Sequence, residues 1–184
     1  VSTLRSICVY CGSQPGRDPQ HLAAARATAA AIGAAGLQLV YGGASVGLMG
    51  ALADGVLAAG GQVVGVIPET LVQAEVAHLG LTEQHVTADM HARKSMMAAR
   101  ADAFLVLPGG LGSLEELFEI WTWRQLRYHD KPIGLLNVGG YYDGLLAWLD
   151  QAVEDGFVRA PIRAMLRVDD DPTRLLQQLA ADAT

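Results

Sequence analysis

Apolar residues fall in short continuous runs, each closed by glycine, proline or a polar residue and followed by a longer stretch of helical period. SICVYC (6–11), LQLVYGG (37–43), QVVGVIP (62–68), AFLVLPGG (103–110) and PIGLLNV (132–138) read as strands buried on both faces. Helices are predicted over 20–35, 47–59, 92–101, 113–128, 142–155 and 172–181, with Asp89 as a plausible cap for the third. LRVDD (166–170) reads as a short edge strand, and 69–88 as irregular chain with one short helix. Apolar strands alternating with helices predict an α/β fold: a doubly wound parallel sheet flanked by helices on both faces. With no linker, repeat or low-complexity stretch, residues 1–184 are expected to form a single domain.

Composition narrows the partners. The chain is 51% apolar with a net charge of −6, so nucleic acid and anionic membrane are not its expected partners. An anionic small ligand would need a local cationic site. No apolar stretch reaches membrane-spanning length, and VSTLRSICVYCG lacks the features of a signal peptide, so a cytoplasmic protein is expected. Cys8-Val-Tyr-Cys11 lies in a strand pattern, where positions three apart face opposite sides. Two buried thiols are expected rather than a redox pair or a zinc site.

In a doubly wound sheet, ligands bind beyond the carboxyl ends of the strands. Four segments fall there: CGSQPG with Ser13, GGASVGLMG with Gly42 and Gly43, Pro68-Glu69, and PGGLGSLEE with Gly109, Gly110, Gly112 and Ser113. Glycines after a strand admit close backbone approach, and a following helix N-terminus offers free N–H groups and partial positive charge. Together they favour phosphate, against the plain alternative of tight turns. A dinucleotide fingerprint is excluded because Glu115 stands where the third glycine belongs, and no GK[ST] triplet exists for a Walker A loop.

Two charged features stand out. Ser113-Leu-Glu-Glu116 fits a capping box, with Ser113 as cap and Glu116 reaching back. Helical geometry instead sets Glu116 beside Ile120 and Trp123, apart from a core face of Leu114, Leu117, Phe118 and Trp121. A carboxylate bordered by apolar groups at the mouth of the sheet is a candidate catalytic acid or base. In MHARKSMM (90–97), whose Met90 is a candidate substrate-binding residue, Arg93 and Lys94 oppose the macrodipole of the helix they open. The pair suits an anion held between them, a carboxylate partner such as Glu75 or Glu116, or plain solvent exposure. His91 has no second histidine at metal spacing, and no metal is expected.

PGGLGSLEE resembles the PGGxGTxxE motif, and MHARK the arginine–lysine segment, of the "Lonely guy" cytokinin riboside 5′-monophosphate phosphoribohydrolases, often labelled lysine decarboxylases. VYCGS, LVYGGASVGLMG, GGQVVGVIPETL, WRQLRYHDKPIGLLNVGGYYDGLL and the EDGF segment are similar to that family too, so the likeness runs almost end to end. One departure is Ser113, where the motif has threonine; the hydroxyl is kept. The resemblance implies a Rossmann-like homodimer that splits the N-glycosidic bond of an adenine-type nucleoside 5′-monophosphate, giving free base and ribose 5-phosphate. It implies a nucleotide site of Glu75, Arg93, Lys94, Gly110 to Glu116, and Thr122, with Arg93 and Glu116 as the catalytic pair and no cofactor. The competing class is a non-catalytic nucleotide or cofactor carrier on the same fold, which would use the glycine loops without a carboxylate near the ribose. A pyridoxal-dependent lysine decarboxylase is a third reading, for which no pyridoxal-anchoring pattern stands out.

Overall fold

The computed structural model describes residues 4–74 and 76–183; Glu75 lies outside the described residues. Seven parallel strands form one sheet: β1 (Ser6–Tyr10), β2 (Gln38–Tyr41), β3 (Val63–Pro68), β4 (Glu83–Thr87), β5 (Ala103–Val106), β6 (Ile133–Leu136) and β7 (Leu166–Asp169). Their order is β4-β3-β2-β1-β5-β6-β7. The winding therefore reverses between β1 and β5, which is where a crevice opens at the carboxyl edge of such a sheet.

Alternation along each strand assigns the two faces. Ile7, Val9 and Cys11 point into one core layer with α1 (Pro19–Ala34), α2 (Gly47–Ala58) and α7 (Pro172–Asp182). Cys8 and Tyr10 point into the other, against α3 (Met90–Arg100), α4 (Leu111–Gln125), α5 (Asp143–Glu154) and the short α6 (Ala160–Arg163). The two cysteines are free and buried on opposite faces, as a strand period requires. Burial is the main cause that pushes both thiols well above their ordinary range, and the charge of Glu116 adds to it.

The expected strands and helices are present, and Asp89 caps α3 by accepting from the Ala92 N–H at 2.8 Å. The 69–88 segment departs from expectation, because β4 pairs with β3 along the sheet edge. Its sequence, EQHVT, is polar and mostly not fully buried, so it lacks the apolar run that marks the inner strands. The capping box is also corrected. α4 starts at Leu111, with Gly110 as cap residue and no side-chain cap. Ser113 and Glu116 thus lie inside the helix, and neither can satisfy its first N–H groups in the expected way. The buried face is Ser113, Leu117, Ile120 and Trp121; Leu114 and Phe118 are only half-buried.

Candidate active site

Three of the four loop segments converge on one cavity of about 250 Å3 at the β1/β5 crevice, whereas Pro68 and Glu69 do not line it. Ser13 comes from the loop after β1, Gly42 from that after β2, and Gly110 to Ser113 from the start of α4. Backbone bonds join these loops: the Gly12 N–H donates to the Pro108 carbonyl at 3.1 Å, and Leu48 N–H to Gly12 at 3.2 Å.

Arg93 and Glu116 both line this cavity. Arg93 is 4% exposed and fixed by backbone: its Nε donates to Val66 at 2.9 Å and its Nη2 to Gly42 at 2.7 Å. Gly42 directly follows β2 and Val66 lies in the carboxyl half of the neighbouring β3, so the sheet itself aims the guanidinium. Gly42 is needed for this approach, since a Cβ there would collide with both Arg93 and the Met49 methyl. Glu116 is half-buried in the second turn of α4. Burial holds the Tyr10 hydroxyl well above its ordinary value, and the charge of Glu116 pushes the same way.

The rim opposite Arg93 is the uncapped start of α4. Among the described residues no side chain caps this start, and Ser113, 4% exposed, turns its hydroxyl toward Gly109. Oriented N–H groups with the helix dipole behind them favour negative charge. The remaining wall is apolar: Tyr10, Met49, Leu71, Met90 and Met97 line it, while Leu111, 89% exposed, stands at its mouth. Of these, sequence reasoning singles out Met90 alone. The others carry the same apolar signal as core residues, and only the fold separates cavity wall from core.

Several expected site residues lie elsewhere. Lys94 does not share an anion with Arg93. Its ammonium is held by Glu115 at 2.5 Å and Glu119 at 2.9 Å on α4, and it is 7% exposed. Burial alone would lower its pKa, but the two carboxylates outweigh that and hold it above the ordinary lysine value. The cation at the helix start is thus tolerated because acidic partners come from a second helix. Gly43 packs against Ile67 and Val66, and Gly109 borders a second cavity that shares Gly12, Ser13 and Gly110 with the first. Thr122 is exposed on α4, two turns beyond the cavity rim. Among the described residues no His/Cys/Asp/Glu cluster could hold a metal ion, and no helix is long and apolar enough to cross a membrane.

Comparison with known proteins bears on this arrangement. The family model described as "Possible lysine decarboxylase" matches residues 49–179. The chain is 47% identical over 179 residues to "Probable cytokinin riboside 5′-monophosphate phosphoribohydrolase LOGL5" of Oryza sativa subsp. japonica, covering 97% of this chain and 73% of that one. It is 44% identical over 178 residues to cytokinin riboside 5′-monophosphate phosphoribohydrolase LOG1 of Arabidopsis thaliana, covering 97% and 84%. Among solved structures, the molybdenum cofactor binding protein from Rippkaea orientalis superposes with a TM-score of 0.75 at 21% identity, over 100% of both chains. That likeness establishes the Rossmann-like fold alone.

Proposed function

The chain belongs to the "Possible lysine decarboxylase" family, which takes in the cytokinin riboside 5′-monophosphate phosphoribohydrolases, and from this premise we propose that it is a phosphoribohydrolase acting on AMP and N6-modified adenine nucleotides. The observation that carries the reading is the placement of Arg93 and Glu116 around one cavity whose rim is an uncapped helix N-terminus. The 5′-phosphate binds the backbone of Gly110 to Ser113, aided by the Ser113 hydroxyl. The base lies against the methionine-rich wall, whose flexible thioethers suit an aromatic ring. C1′ of the ribose then falls near Glu116.

Breaking the C1′–N9 bond leaves positive charge on the ribose and negative charge on the leaving base. The Glu116 carboxylate stabilises the first and takes a proton from the attacking water. Arg93, already desolvated and oriented, offsets the second. Water adds hydroxyl to C1′, and the proton taken by Glu116 passes through solvent to the nitrogen of the departing base. Pyridoxal chemistry does not suit the cavity. It needs a Schiff-base lysine, and the chain has two lysines, neither lining the site. Lys94 is ion-paired with α4, and the Lys131 ammonium donates to the Ala98 carbonyl at 2.7 Å.

The decisive experiment incubates the protein with AMP and N6-isopentenyl-AMP and separates products by chromatography. Free base and ribose 5-phosphate in equal amounts are expected. Tight binding without base release would instead favour the carrier reading. Gly42→Ala is expected to displace Arg93 and to lower kcat/KM by about 100-fold, as for other misplacements of about an ångström. Retention of wild-type kcat/KM would show that the Arg93 position is not critical.

The second face of α4 supports a homodimer. A groove of about 470 Å3 between α3 and α4 is bordered by Ala98, Ala99, Trp123 and Tyr128, with Tyr128 76% exposed. Trp121 is spent on the core, where its indole donates to Ile162 at 3.0 Å, so this groove needs a different cover. A second copy would also bring the exposed Thr122 face against a partner. Sedimentation at micromolar concentration should give about twice the 19.4 kDa chain mass. A mass of one chain would count against the dimer.

A further inference from the structure

We infer that Tyr141 is a positioning residue for the phosphate loop: its hydroxyl fixes the peptide between Gly109 and Gly110 so that the Gly110 N–H faces the cavity. This rests on the reading that the 5′-phosphate binds at the start of α4. Tyr141 follows β6 through a tight turn in which Gly139 and Gly140 take φ values of 55° and 75°, a region that disfavours side chains. Asn137 stabilises the turn, accepting from the Tyr142 N–H at 2.8 Å and donating to Asp143 at 2.7 Å. The turn hands two adjacent tyrosines to the neighbouring loop after β5. The Tyr142 hydroxyl donates to the Leu107 carbonyl at 2.7 Å, buried, and the Tyr141 hydroxyl donates to the Gly109 carbonyl at 2.6 Å.

A trans peptide carries its C=O and N–H on opposite sides. Holding the Gly109 carbonyl toward Tyr141 therefore turns the Gly110 N–H the other way. Tyr141 and Gly109 border an adjoining cavity of about 360 Å3 and do not line the substrate cavity, whereas Gly110 lines both. Two consecutive glycines would otherwise leave this peptide free to rotate, at an entropic cost on binding. The tyrosine ring, 48% exposed, packs edge-on to His21 at 5.2 Å and to Tyr142 at 4.8 Å. Tyr141 does not line the substrate cavity, so it acts through the peptide rather than by touching the nucleotide.

Tyr141→Phe keeps the ring and removes only the hydroxyl. Dissociation constants for ribose 5-phosphate and for adenosine are measured by calorimetry on wild type and variant, with steady-state kinetics on AMP. Ribose 5-phosphate should bind about tenfold more weakly, the scale of one lost hydrogen bond, with KM for AMP raised by a similar factor. Adenosine binding should stay within about twofold, because the nucleoside makes no use of the loop. Equal weakening of both ligands would mean a general loosening, and unchanged ribose 5-phosphate binding would mean that the hydroxyl sets nothing; either result overturns the inference. If wild type still releases adenine from AMP in that case, only the tyrosine's role fails. Wild-type protein that neither binds ribose 5-phosphate nor releases adenine would overturn the underlying reading and this inference with it.

Discussion

Glu116→Gln should abolish turnover of AMP while leaving nucleotide binding largely intact, with kcat lower by about two decades or more. The amide has nearly the same shape as the carboxylate, so packing in the second turn of α4 is preserved. What it loses is the negative charge that opposes a cationic ribose and the basicity that takes a proton from water. The fold adds a reason to expect a large effect. Glu116 is half-buried beside Tyr10 and the two cysteines, groups held neutral chiefly by burial, so the carboxylate works where charges are poorly screened. Its place inside α4 also removes the capping explanation for its presence. Single-turnover measurements with a separate binding titration check this. A variant that keeps wild-type kcat would show that the carboxylate takes no part in the chemistry.

The second large effect concerns the substrate's phosphate. AMP should exceed adenosine in kcat/KM by about three decades, because the phosphate's binding energy both captures the nucleotide and holds C1′ against Glu116. The uncapped N-terminus of α4 supplies the N–H groups, and buried Ser113 supplies a hydroxyl. ATP should also be a poorer substrate than AMP, since a loop fitted to a terminal phosphate leaves little room for two more. The comparison requires kcat and KM for all three compounds under one set of conditions. Adenosine cleaved as well as AMP would show that the glycine loops are turns and nothing more.

Much of the fold is legible in the sequence because the inner strands of a parallel sheet are covered on both faces and must be continuously apolar. SICVYC, QVVGVIP and AFLVL carry that signal without ambiguity, and glycine or proline marks the turn after β2, β3 and β5. β4 is hidden by the same physics, for an edge strand needs no such run. Sequence also places the glycine segments, Arg93 and Glu116 at one edge of the sheet. It misleads at the first turn of α4, because S-x-x-E satisfies a local capping rule that is overruled when Ser113 turns inward toward Gly109.

What the sequence determined by itself is the class of sheet, the edge at which ligands bind and the chemical character of the loops there, since each follows from local pattern and chain direction. Tertiary structure decided the partners. Lys94 sits next to Arg93 in the chain, yet one cation goes to Glu115 and Glu119 on α4 and the other to the carbonyls of Gly42, directly after β2, and Val66, in the carboxyl half of β3. Met49, Met90 and Met97 become one wall only when α2 and α3 are laid against opposite faces of the sheet near its carboxyl edge. Tyr141 reaches Gly109 across 32 residues because β5 and β6 are neighbours. Side-chain direction over such distances is set by packing, which no local window of sequence contains.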